Sequence, residues 1–200
     1  MAYIGLRKPI IGKMEESGTY AEPFALGKAI GLQVTPNYAE GSLYADDAQS
    51  EYDKAFSYAE VTLNTSTIPI QAHKEMFGHK IGESEKKTVD YNVDDQNNYV
   101  GMAWITQEIV DGVRAFTGNF LYKVKFSEPS EDYATKGESI EYKTPSISGR
   151  AMANDEGNWK SVEVFQTEKE AMDWINTKFG KEVVMAADKR QGRSKRCLRV

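Results

Sequence analysis

Apolar and polar residues alternate in two short windows of this chain, one on either side of a long polar stretch. Between Gly27 and Thr35, residues Ile30, Leu32 and Val34 share one side and Gly31, Gln33 and Thr35 the other, the period of two of a half-buried strand. Pro36-Asn37 is expected to end it, and a second strand is expected near 56–64, so that Lys28–Val34 and Phe56–Leu63 are predicted to lie in a sheet. The segment between them carries Glu40, Asp46, Asp47, Glu51 and Asp53 among Tyr38, Leu43, Tyr44, Tyr52 and Phe56. It is too long for a hairpin turn and too aromatic for an inert linker, and reads as a binding loop that projects over Tyr38–Lys54.

The longest alternating run predicts a hairpin of Tyr99–Val110 and Val113–Phe126, joined by Asp111-Gly112, a pair suited to the positive φ angles of a type I′ turn. In its second strand Phe116, Phe120, Tyr122, Val124 and Phe126 are expected on one face, with Thr117, Asn119, Lys123 and Lys125 on the other. In the first strand Val100, Met102 and Trp104 oppose Gly101, Ala103 and Ile105, so both faces are apolar or small and both are expected to be covered. A polar loop at 127–137 leads to a predicted strand pair, 138–152 and 158–166, joined by the turn residues Asn154-Asp155-Glu156-Gly157.

Two helices are predicted. Pro69 opens a short one, Ile70–Phe77, stopped by Gly78. Thr167-Glu168-Lys169-Glu170 fits a capping box ahead of a second helix, in which Ala171, Trp174, Ile175 and Phe179 form an apolar stripe and Gly180 provides the stop. The first twenty-six residues have little periodicity, with Gly at 5, 12 and 18 and Pro at 9 and 23. They read as an extended arm whose anchors Tyr3, Ile4, Ile10 and Ile11 pack on another molecule. The elements define a mainly β chain, an antiparallel sandwich or partial barrel flanked by one short and one C-terminal helix. Its parts are an arm (1–26), a body (27–180) with a projecting loop at 36–56, and an extension (181–200).

Charge sharpens that division. Between Gly180 and Val200 seven basic and two acidic residues give a net of +5, which leaves −10 on the rest of a chain whose total is −5. An acidic body is a poor grip for nucleic acid, because phosphate binding needs clustered Lys and Arg to displace counterions. The basic extension, with Lys189, Arg190, Arg193, Lys195 and Arg196, is suited to nucleic acid or to an acidic surface on a neighbouring copy. No run of apolar residues is long enough for a membrane helix, and the start MAYIGLRKPIIGKMEESG lacks the apolar core of a signal peptide, so synthesis in the cytoplasm and no membrane partner are expected. A single cysteine, Cys197, excludes an internal disulfide framework and a cysteine-based zinc site.

Candidate chemistry is sparse. His73 and His79 lie on opposite sides of the stop at Gly78, a poor spacing for two ligands on one helical face. The acidic pairs Asp46-Asp47 and Asp94-Asp95 lack the spacing of a calcium loop and read as solvated turn acids. Ser84-Glu85-Lys86-Lys87 matches the SxxK of acyl-transfer enzymes without the companion motifs, and no GxSxG, GxxxxGK[ST] or GxGxxG occurs. Trp104, Trp159 and Trp174 sit on apolar faces and read as core. Neither a catalytic residue nor a cofactor or metal site is predicted.

The segment Pro36, Asn37, Glu40, Gly41, Leu43, Tyr44, Ala45, Asp46, Asp47, followed by Glu51, Lys54 and Phe56, resembles the major tail tube proteins of long-tailed phages with non-contractile tails. Ser146–Met152, Gly157-Asn158-Trp159 and the helix Thr167–Ile175 match more loosely, and the basic extension departs from the pattern. The resemblance implies a non-enzymatic β-sandwich subunit that forms hexameric rings stacked into a tube. It implies that the 36–56 segment reaches into the adjacent ring through Tyr38, Glu40, Leu43, Tyr44, Asp46, Asp47, Glu51, Tyr52 and Lys54. Its implied partners are further copies of itself, a tape-measure protein and other tail proteins. DNA would be met only in transit, and the implied location is the virion. Acids of the long hairpin or its loops would then line the lumen, and the +5 extension would pair with acidic surface on neighbours. The rival readings are a distal-tail or terminator protein that forms one ring, a nucleic-acid-binding module acting through residues 188–199, and a carbohydrate-binding or hydrolytic β-sandwich, which would need an exposed aromatic platform or two facing carboxylates.

Overall fold

The structure is a computed structural model, and it describes the chain except at residues 1, 46–47, 83–87, 111, 132, 134, 136–143 and 184–200. The elements are β1 (Ala2–Lys13), β2 (Phe24–Ala25), β3 (Ala29–Ala45), β4 (Ala48–Thr65), α1 (Ile70–Glu75), β5 (Lys80–Ile81), β6 (Val89–Asp90), β7 (Tyr99–Val110), β8 (Val113–Phe126), β9 (Ser146–Met152), β10 (Lys160–Phe165) and α2 (Glu168–Phe179). One antiparallel sheet runs in the order β2-β1-β7-β8-β9-β4-β3, with β10 also paired to β8, and β5-β6 form a separate small ribbon. The fold is mainly β with two helices, as the alternation and the helix caps predict.

The β7–β8 hairpin spans the predicted residues and carries a core on each face. Val100, Met102, Trp104, Leu121, Val124 and Phe126 belong to one cluster, closed by residues of β4, α1 and β9. Ala103, Ile105 and Phe120 belong to the other, closed by Ala171, Ile175 and Phe179 of α2. The predicted single face of β8 is corrected here. Val100 pairs with Val124 and Met102 with Leu121, so β8 holds one residue more than β7 across this step. That bulge at Tyr122–Lys123 reverses the parity of the strand, placing Val124 and Phe126 with Leu121 while Phe116, Phe120 and Tyr122 face α2.

The same bulge marks a change of partner. β10 pairs with Phe116–Leu121 and β9 with Lys123–Phe126, so the two lie end to end along one edge of β8 and do not pair with each other as expected. Between them the Tyr122 amide donates to the Trp159 carbonyl. Tyr20 pins the bulge from the α2 side: its hydroxyl donates to the Tyr122 carbonyl at 2.7 Å, and its ring meets Phe120 and Phe179 edge-on. Burial, with Tyr122 beside it, pushes the Tyr20 hydroxyl well above its ordinary value and keeps it a neutral donor. Gly101 lies under that ring, where a Cβ would come within 2.5 Å of it.

The first thirteen residues are not an arm. Most of them form β1, paired with β7 from Ala2↔Ile109 to Lys13↔Val100. Two register shifts, near Gly5 (φ 87°) and Lys8 (φ 50°), break the alternation that would have revealed the strand. After them Ile10 enters the α2-side core and Ile11 the opposite one, both fully buried, so neither is available to another molecule. Tyr3 and Ile4 at the start of the strand are exposed. Arg7 and Lys8 fasten β1 to α2 through Glu168, at 2.9 and 2.8 Å, and Lys8 above all holds the Glu168 carboxyl below its usual range. The capping box of α2 is complete, with Thr167 Oγ1 accepting from the Glu170 amide and the Glu170 carboxylate accepting from the Thr167 amide.

At the other end of the sheet β3 curls back towards β1. Leu6 of β1 and Leu32 and Val34 of β3 pack on the same core, and a cleft of about 460 Å³ separates the two strands. The result is a partial barrel with α2 on its outside. Leu32 and Val34 are half-buried as predicted, whereas Ile30 is exposed, next to a register shift between Ala29 and Gly31.

The bulge generates a stability prediction. Gly101→Ala should lower the unfolding free energy by about 1–3 kcal/mol through overpacking against Tyr20, and Tyr20→Phe by about 0.5–1.5 kcal/mol through the lost hydrogen bond. Gly41→Ala, where the added Cβ meets nothing within 4 Å, should leave it nearly unchanged. Urea unfolding followed by tryptophan fluorescence measures all three.

Candidate functional site

The segment predicted as a loop at 36–56 is a continuous two-stranded ribbon. β3 and β4 stay paired from Ala29↔Thr65 to Ala45↔Ala48 through three register shifts, and Pro36 does not stop β3, because the last strand of a sheet has a partner on one side only and tolerates a missing amide. β9 accompanies β4 only from Ala59 to Asn64. Beyond that the ribbon is bare: residues 38–43 and 49–55 are all exposed. At about 3.3 Å per residue, Tyr38–Ala45 extends roughly 25 Å.

The base of the ribbon is braced. Phe56 stacks on Trp159 at 4.7 Å with an interplanar angle of 14°, and Tyr38 meets Phe56 edge-on at 6.0 Å. Lys54 lies over the Tyr38 ring and pairs with Glu40, its cross-strand partner, at 2.8 Å. Lys54, with a smaller contribution from Tyr52, holds the Glu40 carboxyl below its usual range, and Glu40 in turn raises the Lys54 ammonium. Both groups are in water, so the pair specifies register more than it adds stability.

Further out, Leu43 faces Glu51, Ser42 faces Tyr52, and the side chains of Leu43 and Tyr52 are more than half exposed. The predicted contact residues Tyr38, Glu40 and Lys54 are thus brought together at the base, and Leu43, Glu51 and Tyr52 lie along the bare part. Tyr44 belongs to the same strand near its tip. Asp46 and Asp47 lie outside the described residues, as do Lys189, Arg190, Arg193, Lys195 and Arg196 of the basic extension. Tyr3, at the far end of β1, lines the cleft across from Ile30, and Ile4 beside it is exposed.

A second polar cluster escaped the sequence reading. Gly78 (φ 76°) turns the chain back after α1, so that the His79 amide donates to the His73 carbonyl and the two rings lie 5.8 Å apart. His79 is buried, and its Nδ1 lies 2.9 Å from Asp95 Oδ2, which also accepts from the Asn92 amide. Asp95 is therefore engaged, where a solvated turn acid was expected, and His79 above all holds its carboxyl below the usual range. A glycine at the helix stop followed at once by histidine was the local signal. The partner sixteen residues further on had none. Among the described residues no three His, Cys, Asp or Glu side chains converge in a way that could hold a metal ion.

No family model matches the chain, and no curated protein matches it. The bare ribbon therefore carries the functional argument through its geometry.

The histidine cluster predicts a pH dependence. Burial, and secondarily His79, lowers the His73 pKa below its ordinary 6.5, against an opposing pull from Glu131 and Glu128. The unfolded chain then binds the proton more readily, so the stability that neutral His73 contributes is present above that ordinary value and is lost as pH falls through the folded one. The melting temperature should fall between about pH 7 and about pH 5, and His73→Gln should flatten that limb. The depressed Asp95 and Glu168 carboxyls should leave a second loss at lower pH in both proteins. Differential scanning fluorimetry across pH measures the two limbs.

Proposed function

We propose that this protein is a non-catalytic structural subunit that self-assembles into stacked, hexameric rings and forms the tail tube of a long-tailed phage with a non-contractile tail. The observation that carries this reading is the bare β3–β4 ribbon. A two-stranded hairpin is marginal in water on its own, yet this one continues far past its last sheet neighbour and exposes Tyr38, Leu43 and Tyr52 along its length. Such an element gains its stability by packing on another subunit, and a protruding arm is what ring stacking requires.

Open edges support lateral closure into a ring. β10 has no partner beyond β8 among the described strands, and β3 has none beyond β4. Val162 and Val164 of β10 are at least half exposed beside its free edge. Two different open edges on one subunit are the raw material of a heterologous, ring-closing contact. The acidic body suits a conduit for DNA, since a wall of carboxylates repels phosphate and exchanges no counterions with it. In this reading the acids of the ribbon and loops line the lumen or specify stacking, the tape-measure protein and other tail proteins are the further partners, and the assembled protein resides in the virion.

Negative-stain microscopy of the purified protein should show rings stacked into tubes. Discrete rings that never stack would place it instead with one-ring distal-tail or terminator proteins, and a monomer at all concentrations would overturn the reading. Leu43→Ser with Tyr52→Ser should abolish stacking while changing the subunit's unfolding free energy by no more than about 0.5 kcal/mol, the usual range for exposed positions.

A further inference from the structure

We propose that the pocket walled by His73, His79, Tyr91, Glu128 and Glu131 receives a lysine or arginine side chain from the C-terminal segment of a second copy of this chain. The pocket holds about 310 Å³ and is closed on one side by Pro129. His79 forms its floor, with only 3% of the residue exposed. Because the Asp95 carboxylate can only accept, His79 Nδ1 carries the proton of that 2.9 Å bond, and in the neutral ring Nε2 is a bare acceptor. Among the described residues that atom has no hydrogen-bond partner, and neither has the buried Nδ1 of His73.

What faces His79 Nε2 is a further acceptor. Glu128 Oε1 lies 3.5 Å away, too far for a hydrogen bond and placed so that two electron-rich atoms confront each other. Glu131 adds a second carboxylate to the wall, and the Tyr91 ring lies 4.2 Å from that of His79. Burial, and then Glu131 and Glu128, raise the Tyr91 hydroxyl above its ordinary value, so it too stays neutral. Acceptors and an aromatic ring around a cavity larger than one water call for a donor with positive charge. A primary ammonium or a guanidinium satisfies Nε2 and Glu128 together and lies against the ring. A proton on Nε2 would pair that atom with Glu128 and leave the cavity, His73 Nδ1 and Glu131 as they are. A metal ion would need a third converging ligand, and none converges among the described residues.

The occupant follows from charge and from position. In a chain whose body carries −10, residues 188–199 hold Lys189, Arg190, Arg193, Lys195, Arg196 and Arg199 against the single acid Asp188. The described chain ends at Val183, which packs in the cluster on the α2 face of the sheet, whereas His73 belongs to α1 on the opposite face. A segment attached on one face and a pocket on the other suit a contact between two copies. The inference rests on self-association and not on the tube, so it survives if the assembly proves to be a single ring.

The test is zero-length carbodiimide crosslinking of the full chain in an equal mixture of ¹⁴N and ¹⁵N copies, read by mass spectrometry. Crosslinked peptides joining Lys189 or Lys195 to Glu128 or Glu131 are expected, about half of them isotopically mixed, as random pairing of copies requires. Glu128→Gln with Glu131→Gln should remove them while other crosslinks of the same lysines persist. His79→Phe, which keeps the ring volume and removes the acceptor, should lower their yield several-fold in protein that still melts cooperatively. Crosslinks of these lysines only to other carboxylates would overturn the proposal, as would peptides of a single isotope throughout. If His79→Phe does not fold, the glutamine pair and the isotope pattern still decide.

Discussion

The fold depends on burying both faces of the β7–β8 hairpin, and a single extra residue in β8 makes that possible. A strand of strict period two would send Phe116, Phe120, Tyr122, Val124 and Phe126 to one side and leave Leu121 as the large apolar residue for the other. The bulge at Tyr122–Lys123 divides the strand, so that Phe120 serves the α2 side while Leu121, Val124 and Phe126 serve the other. Fully burying each such side chain stabilises the fold by about 1.5–3 kcal/mol, so the division supplies two cores from one hairpin. It also frees the edge of β8 to take β10 first and β9 afterwards. β9 leads to β4, and β4 carries the ribbon. The position of the projecting element is thus inherited from a bulge in the central strand, two strands away from β4.

That inheritance has a functional consequence. Because β9 leaves β4 at Ala59, the sheet stops supporting the β3–β4 pair where the ribbon begins. The Phe56–Trp159 stack fixes its exit direction, and Trp159 lies between β9 and β10, at the same hand-over. Beyond the stack the ribbon is held by backbone pairing, the Glu40–Lys54 register contact with Lys54 over Tyr38, and a hydrogen bond from Gln49 to Ser42. An element that is rigidly aimed and incompletely stabilised is suited to find its remaining contacts on a neighbour.

Much of this architecture was legible in the sequence, and the unread parts have physical causes. The β7–β8 hairpin could be read to the residue because long alternation meets Asp111-Gly112, and α2 because Thr167 and Glu170 satisfy each other's amides. β1 stayed hidden because its two register shifts erase the alternation. The ribbon was mistaken for a loop because hydrophobic patterning marks a strand only where one face is buried, and neither face of this one is. The bulge in β8 was invisible because Tyr122 and Lys123 continue an acceptable alternation, and only the competing demands of two cores decide against it. The residues Tyr38, Glu40, Leu43, Glu51, Tyr52 and Lys54 were singled out as contact candidates through composition and resemblance, although their secondary structure was misread. The pairing of His79 with Asp95 was missed because it is a tertiary event with no periodic signal.

The central claim is that the ribbon serves assembly and contributes little to the subunit's own fold. Its most direct test replaces residues 39–55 with Asn-Gly, joining the register partners Tyr38 and Phe56 by a two-residue turn. Sedimentation velocity and thermal unfolding are then compared with those of the intact protein. The account predicts a trimmed subunit that unfolds cooperatively near the intact subunit's temperature and stays monomeric where the intact protein assembles. A trimmed protein that assembles as the intact one does would contradict it.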